Sequence, residues 1–461
     1  MARARVEITV DIEVLSPLHV GSGLHREVNS VRGADGANAP PRVAAIQRDA
    51  AGKPWLPGST IKGLLRRLAV GVLGEAEQEA LLGSPAGRDG PNITGRRGAL
   101  IFLGAALRSP GKAERLPYAD RSVKHEPGAL GRGVFVAAGT RIDGTSGVAK
   151  GSSLRHDEAL APGGVFPLAF TIEARDVDAK KRCNVQLNAL LKLLSALREV
   201  EGRAIGAGQA DGDGRVRLRP ETLKVMKSVL DNRGQLVSTQ RAVKLPEAKP
   251  EPARAPWLLK LHCKGPFAVL DPSWAQERPS GDKTPALKAQ RITEEMPVLP
   301  GSSVAGALRA RATWIAALAA RRVGTEPQKD NPEAVYRAID RLGLTSVQRL
   351  FGITGFRGLL EIEELTILKG AKPWQVFSVK LDRFSGGPMS GGLFETAAFI
   401  GVSARLVLRL RDHGTGIPTP EDVILAEALI KDICCNGLTL GHGGNKGFGW
   451  FTVVEEAAHA N

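Results

Sequence analysis

Polar and apolar residues alternate from the start of the chain. In RVEITVDIEV, residues 5–14, Val6, Ile8, Val10, Ile12 and Val14 fall on one side of an extended segment, which predicts a half-buried strand. The period then changes. In LPGSTIKGLLRRLAVGVL (56–73) the apolar positions Ile61, Leu64, Leu65 and Leu68 recur at helical spacing, so an extended segment gives way to an amphipathic helix. The same switch occurs at MPVLPGSSVAGALRARATWIAAL (296–318). In both, a serine behind the Pro-Gly pair, Ser59 or Ser302, stands near the expected N-cap. Two further apolar runs, 185–202 and 420–437, predict helices that each lead into a glycine-rich loop and a strand.

These elements form a tandem duplication. Gly58 corresponds to Gly301, Arg97 to Arg357, Asp143 to Asp382 and Gly206 to Gly441, always in the same order. IGAGQADGDGRVRL (205–218) aligns without a gap on LGHGGNKGFGWFTV (440–453). Each copy reads strand, loop, helix, strand, glycine-rich hairpin region, strand, helix, strand. That succession predicts an α+β class, an antiparallel sheet with helices on one face, as in a ferredoxin-like or split βαβ unit. The expected division is a first domain over 1–220, a linker over 221–257 rich in proline, alanine and charge, and a second domain over 258–461.

Charge sharpens the picture. A formal net charge of +15 favours a polyanionic partner, nucleic acid first and an anionic membrane surface second. No apolar stretch approaches a membrane span, and the N-terminus enters strand pattern without a signal-peptide core, so a cytoplasmic protein is expected. The four cysteines lack metal-ligand or disulfide-framework spacing.

No nucleophile elbow, Walker loop, HExxH or dinucleotide fingerprint is present. GHGGNKG follows a helix and precedes a strand, the reverse of a phosphate-binding P-loop. Its glycines with Lys446 could still approach a nucleic-acid backbone, whereas the first copy carries Asp211 and Asp213 there. Long polar loops precede both Pro-Gly helices, and each holds an aspartate beside glycine, Asp35 and Asp282. Such a carboxylate can hold a divalent ion or organise an attacking 2′-hydroxyl, and can equally be a solvated turn residue. His19 and His442 are histidine in one copy only, so packing or backbone bonding is as good an account as acid–base work. With aromatics at 5%, base stacking on a sheet face is poorly supported.

LSPLHVGSG, WLPGSTIKGLLRRL, IDGTSGVAKGSSL, VLPGSSVAGALRAR, VKLDRFSGGPMSGGLFETAAF and LGHGGNKGFGWF, in that order, resemble the RAMP superfamily of CRISPR systems. Two units in one chain resemble the fused double-backbone (Cas seven) subunits of type III-D-like effector complexes. The resemblance implies two tandem modified ferredoxin-like/RRM-like domains, each with a protruding β-hairpin thumb, near 121–153 and 376–394. It implies a filament with other effector subunits that holds a CRISPR guide RNA and pairs it with target RNA. It also implies target-RNA cleavage by metal-dependent transesterification, making the chain an endoribonuclease with a divalent cofactor, Mg or Mn. The catalytic and metal-holding position falls on Asp282, with Asp35 a less well-spaced counterpart. Guide-backbone contacts carry over to Gly58, Ser59, Lys62 and Arg66, to Ser302 and Arg309, and to Gly443, Gly444 and Lys446. The alternatives are a non-catalytic guide-RNA scaffold and a metal-independent CRISPR-RNA processing endonuclease that uses histidine.

Overall fold

A computed structural model describes residues 4–27, 42–84, 87–89, 92–119, 130–142, 153–174, 178–198, 202–230, 235–247, 254–273, 286–319, 345–353, 355–412 and 416–457. The first unit comprises β1 (Ala4–Val14), β2 (Gly21–Glu27), β3 (Arg42–Ile46), α1 (Gly58–Val72), α2 (Glu75–Leu82), β4 (Leu100–Leu103), β5 (Val134–Gly139), β6 (Arg155–Leu160), β7 (Val165–Ala174), α3 (Ala179–Ser195), β8 (Arg203–Ala204), β9 (Arg215–Leu230) and β10 (Leu236–Arg241). The second comprises β11 (Trp257–Cys263), β12 (Ala286–Lys288), α4 (Gly301–Ala319), α5 (Ser346–Phe351), β13 (Leu360–Ile367), β14 (Lys372–Leu381), β15 (Pro388–Ile400), β16 (Ser403–Leu410), α6 (Pro420–Asn436), β17 (Leu438–Thr439) and β18 (Trp450–Ala457).

The main sheets repeat one plan. In the first unit the order is β4–β7–β1–β9–β8, and in the second it is β13–β16–β11–β18–β17. The first strand of each unit is central, antiparallel to both neighbours. A smaller sheet stands beside each main one, β2–β3–β6–β5 and β12–β15–β14, with β3 parallel to β6 and β12 parallel to β15. The two units are similar curled sheets backed by helices.

The alternation in β1 does what its period requires. Val6, Ile8, Val10, Ile12 and Val14 are buried in the core with Leu187, Leu190 and Leu194 of α3. Helix α1 adds Ile61, Leu64, Leu65 and Leu68, each worth roughly 1.5–3 kcal/mol when fully buried. Asp11 lies on the opposite face of β1, with Glu7, Thr9 and Glu13, yet is buried, and its carboxylate accepts from Arg108.

Two expectations need correction. Ser59 does not cap α1: Pro57 is the N-cap, extended at φ −63° and ψ 144°, and no side chain caps the helix. Ser59 is instead the second helical residue, exposed. The segment 221–257 is not all linker. Strand β9 continues to Leu230, and β10 pairs with it from Val225↔Arg241 to Leu230↔Leu236. The proline- and alanine-rich composition beyond Lys244 masked the strand alternation ahead of it.

Among the described residues the units meet along the first copy's glycine-rich loop and around Arg115 and Phe135. The first copy's glycine-rich loop, with a 3-10 turn at Gln209–Asp211, lies against the start of α4 and against β13. A Cβ at Gly301 would lie 1.6 Å from the Asp211 carbonyl oxygen, so only glycine permits that approach. Arg215 donates to the Ile362 carbonyl at 3.3 Å, Arg115 pairs with Glu294, and Val298 packs on the small cluster around Leu116 and Phe135.

Candidate nucleic-acid interface

Among the described residues, the hairpin β14–β15 carries the largest group of exposed aromatic side chains. Its base is anchored by Ala371, Ala398 and Phe399 in the second core, and from Phe377 outward it carries its apolar side chains in solvent. Of the six exposed large aromatics among the described residues, Trp314, Trp374, Phe377, Phe384, Phe394 and Trp450, four belong to this hairpin. Phe384 at the tip is 95% exposed. An apolar surface of this kind, uncompensated by burial, marks a contact site.

The tip is held locally rather than by packing. The Asp382 carboxylate accepts from the backbone N–H of Phe384 at 2.9 Å and of Ser385 at 2.7 Å. Those bonds, Ser385 first, hold the Asp382 carboxyl below its ordinary range. Lys372, Lys380 and Arg383 place cations along the same exposed strands. At the base a groove of about 560 Å³ is lined by Trp374 and Phe377 with Lys288 and Arg291. Aromatic faces beside cations suit single-stranded nucleic acid, whose bases stack and whose phosphates need charge. Although aromatics make up only 5% of the chain, the exposed rings among the described residues are concentrated on this hairpin.

The glycine-rich loops have matching geometry. Gly206, Gly208, Gly212 and Gly214 have φ of 74°, 70°, 83° and 73°, and Gly441, Gly443, Gly447 and Gly449 have 83°, 76°, 83° and 67°. A Cβ at Gly214 or Gly449 would meet the carbonyl oxygen of Ile205 or Leu440 at 1.9 or 1.8 Å. Each loop is pinned from the far side, Ala207 N–H to the His19 carbonyl and His442 N–H to the Ala268 carbonyl. The glycines thus shape a turn, whichever charge the loop carries.

A profile of the RAMP superfamily matches residues 11–217 and 257–452, both units and most of the chain. The chain belongs to the RAMP superfamily. The general role that accompanies membership is CRISPR-associated. No curated protein matches the chain.

The RAMP units distribute the candidate residues unevenly. Asp35 and Asp282 lie outside the described residues, as do 121–129 and 143–152 of the first expected hairpin, 121–153. Among the described residues no three His, Cys, Asp or Glu side chains converge as a metal site. The chain leaves the described residues at Ser273 and returns at β12, where Ala286 pairs with Glu395 of the aromatic hairpin. The loop carrying Asp282 is therefore rooted beside that hairpin.

Gly58 opens α1 against Phe102, and Lys62 stands 5.8 Å over the Phe102 ring. Arg66 turns away, donating to the Leu82 and Gly83 carbonyls at 3.3 and 3.0 Å, where it closes the end of α2. Ser302 follows Gly301 under the first copy's loop, while Arg309 lies further along α4, exposed on its surface. Gly444 and Lys446 are exposed at the far end of the second unit, with Gly443 partly covered. His19 donates from Nδ1 to the Glu158 carbonyl at 2.7 Å. His442 is pushed down by burial and by nearby Lys446. No helix among the described residues is long and apolar enough to cross a membrane.

Sequence reasoning missed Arg67. Its guanidinium donates to Gln209 Oε1 at 2.7 Å and to the Ala204 carbonyl at 2.6 Å, bracing the first glycine-rich loop. Burial, then Arg357, brings it down to about 10. Its place directly after Arg66, in a helix with two basic neighbours, concealed a structural role.

Proposed function

We propose that the chain is a fused double-backbone subunit of a type III CRISPR effector, in which the β14–β15 hairpin is the thumb and lies against guide and target RNA. The observation that carries this reading is the exposed aromatic hairpin with its cationic groove in a RAMP unit. Trp374, Phe377 and Phe384 would stack on or wedge between bases, while Lys288, Arg291, Lys380 and Arg383 would neutralise phosphates. Sequence selection would come from base pairing to the guide, so the protein needs contacts to backbone and shape rather than to base edges. The sheet order, with the first strand between the third and fourth of the βαββαβ path, supports a modified ferredoxin-like unit.

Target cleavage is part of the proposal. Asp282, and Asp35 in the first unit, would face the strand paired to the guide, because the Asp282 loop is rooted beside the thumb. A lone carboxylate offers hard oxygen, the donor that Mg²⁺ or Mn²⁺ prefers, and a bound ion would offset charge on the reacting phosphate. The carboxylate itself would orient the cation and the neighbouring 2′-hydroxyl, and the thumb would splay the nucleotide to be cut.

The test combines binding and cleavage. Fluorescence anisotropy with guide-length RNA should show affinity falling steeply with salt. A Trp374→Ala/Phe384→Ala double variant should weaken binding by about 1–3 kcal/mol per stacked base. Unchanged affinity in that variant, or a flat salt response, would sink the RNA reading. In the assembled complex, Asp282→Asn with Asp35→Asn should abolish cleavage of paired RNA and preserve its binding. Cuts that persist in the double variant would leave a non-catalytic scaffold. Cuts that survive EDTA and vanish with His19→Ala would indicate the histidine-dependent processing enzyme instead.

A further inference from the structure

The seam between the units gathers guanidinium groups from both sides. From the first unit, Arg67 on α1 donates to Gln209 Oε1 and to the Ala204 carbonyl, and Arg215 at the start of β9 donates to the Ile362 carbonyl. From the second, Arg357 pairs with Glu361, and Arg411 reaches both Glu361, at 3.0 Å, and Glu363. Arg409 also holds Glu363, at 2.7 Å. Each carboxylate is therefore already shared by two guanidinium groups of its own unit. Arg67 meets amide and carbonyl oxygens, which satisfy its N–H groups and leave its charge in place.

These charges belong to the seam rather than to the fold. The second copy has Ala310 and Trp450 where the first has Arg67 and Arg215, and the first has Ile101 and Leu103 where the second has Glu361 and Glu363. The charges set there do not balance. Arg357, across the seam, acts on Arg67 more strongly than Glu361 does. Glu361 and Glu363 are each 3% exposed, so charges beside them are poorly screened. Arg357 adds an orphan donor: its Nε is enclosed and has no acceptor among the described residues. Arg67 is exposed and the Arg357 side chain is 30% exposed, so an anion in solution reaches both.

We infer that Arg67 and Arg357 are the two sides of a site for a free phosphate-class dianion, which bridges the units. Planar guanidinium forks match the oxygens of a phosphate, and hydrogen bonds between two such charged groups are among the stronger ones. Inorganic phosphate or a terminal phosphate group carries close to two negative charges and at least three acceptor oxygens. It offsets both guanidinium charges at once and supplies an acceptor to Arg357 Nε. A backbone diester carries one charge and offsets only one of them. None of these residues lies on β14–β15, so the site stands apart from the RNA contacts proposed above. With the anion bound, repulsion between Arg67 and Arg357 becomes a tie between the first unit and the second.

Titration of the full, RNA-free chain with inorganic phosphate tests it, at about pH 8 and with ionic strength held constant by sodium chloride. The thermal unfolding midpoint should rise and saturate with phosphate. Isothermal titration calorimetry should count a single phosphate per chain. Arg67→Gln keeps much of the side chain and removes the charge, and should weaken binding by about tenfold or more. Arg67→Lys keeps the charge without the fork and should fall between native and Arg67→Gln. Circular dichroism establishes that each variant is folded. A native chain that gains no more from phosphate than from chloride overturns the inference, and so does a folded Arg67→Gln chain that binds phosphate as tightly as native. Dimethyl phosphate, a diester monoanion, should not compete. If it matches phosphate, or if guide-length RNA displaces bound phosphate, the site belongs to an RNA backbone and the free-dianion assignment falls. The RNA reading fails separately, in the anisotropy of the aromatic variants.

Discussion

Replacing Gly301 with alanine asks how much the internal joint depends on close approach. Gly301 is not in the left-handed region, so the substitution strains no backbone angle. The added methyl would lie 1.6 Å from the Asp211 carbonyl oxygen and 2.8 Å from its carbon. Ordinary contact begins near 3.4 Å, so the loop must retreat by about 1.8 Å. The obstacle is backbone within a turn pinned by Gly208, Gly212 and Gly214, so it cannot yield as a side-chain rotamer would. Overpacking of this kind costs about 1–3 kcal/mol. Alanine returns at most about 1 kcal/mol of helix propensity. Gly58→Ala is the matched control: the nearest atom is the Phe102 carbonyl oxygen at 2.9 Å, and a shift of about half an ångström relieves it. Urea unfolding followed by tryptophan fluorescence reads the stability of the second unit through Trp257, Trp314 and Trp450. Small-angle scattering reads the separation of the units. Gly301→Ala should lose roughly 1–2 kcal/mol and enlarge the radius of gyration, while Gly58→Ala should do neither. If the two variants behave alike, the joint is not held by the Gly301 approach.

Burial, with Asp211 second, pushes the Asp213 carboxyl up to about 7. An acid whose folded pKa is raised keeps its proton in the folded state while the unfolded chain releases it, so stability falls as pH rises from about 4 to about 7 and then levels. Asp213→Asn should flatten that fall and raise stability at pH 8 by on the order of 2 kcal/mol, read by urea midpoints across the range. Arg349 donates to the fully buried Asp422 at 2.8 Å, and Asp422 also accepts from Thr419 N–H at the start of α6. Arg349→Leu should cost about 3–5 kcal/mol by stranding that carboxylate, and a loss below about 1 kcal/mol in thermal unfolding would contradict it. Because Phe384 and Phe377 are exposed, Phe384→Ala and Phe377→Ala should leave the unfolding midpoint within about 0.5 kcal/mol of native.

Much of this architecture was legible because it rests on period and repetition. Val6 to Val14 alternate, Ile61 to Leu68 recur at helical spacing, and the two copies share gapless glycine spacing, which fixes left-handed turns whatever lies between. The site was less legible because it depends on long-range contacts. Gly58 and Gly301 stand in the same Pro-Gly-Ser context, yet only Gly301 receives a loop from the other unit. Arg66 and Arg67 read as a basic patch, but carbonyls at Leu82, Gly83 and Ala204 claim their guanidinium groups. The aromatic character of the hairpin expected near 376–394 escaped notice because Trp374, Phe377, Phe384 and Phe394 are spaced through strands and a turn. Only pairing such as Phe377↔Glu395 and Ser378↔Phe394 gathers them.

The covalent connection between Arg241 and Trp257 gives the internal joint a property its surface alone would not have. Two modules joined by a short covalent connection meet at an effective concentration in about the millimolar range. An unlinked rival at micromolar level would have to bind about a thousandfold tighter to displace the Asp211 loop from Gly301. The inner seam is thus closed to exchange with an unlinked copy of either unit. In the assembly proposed above, this chain would add or leave two units at a time, and the span of nucleic acid covered would change in steps of that size.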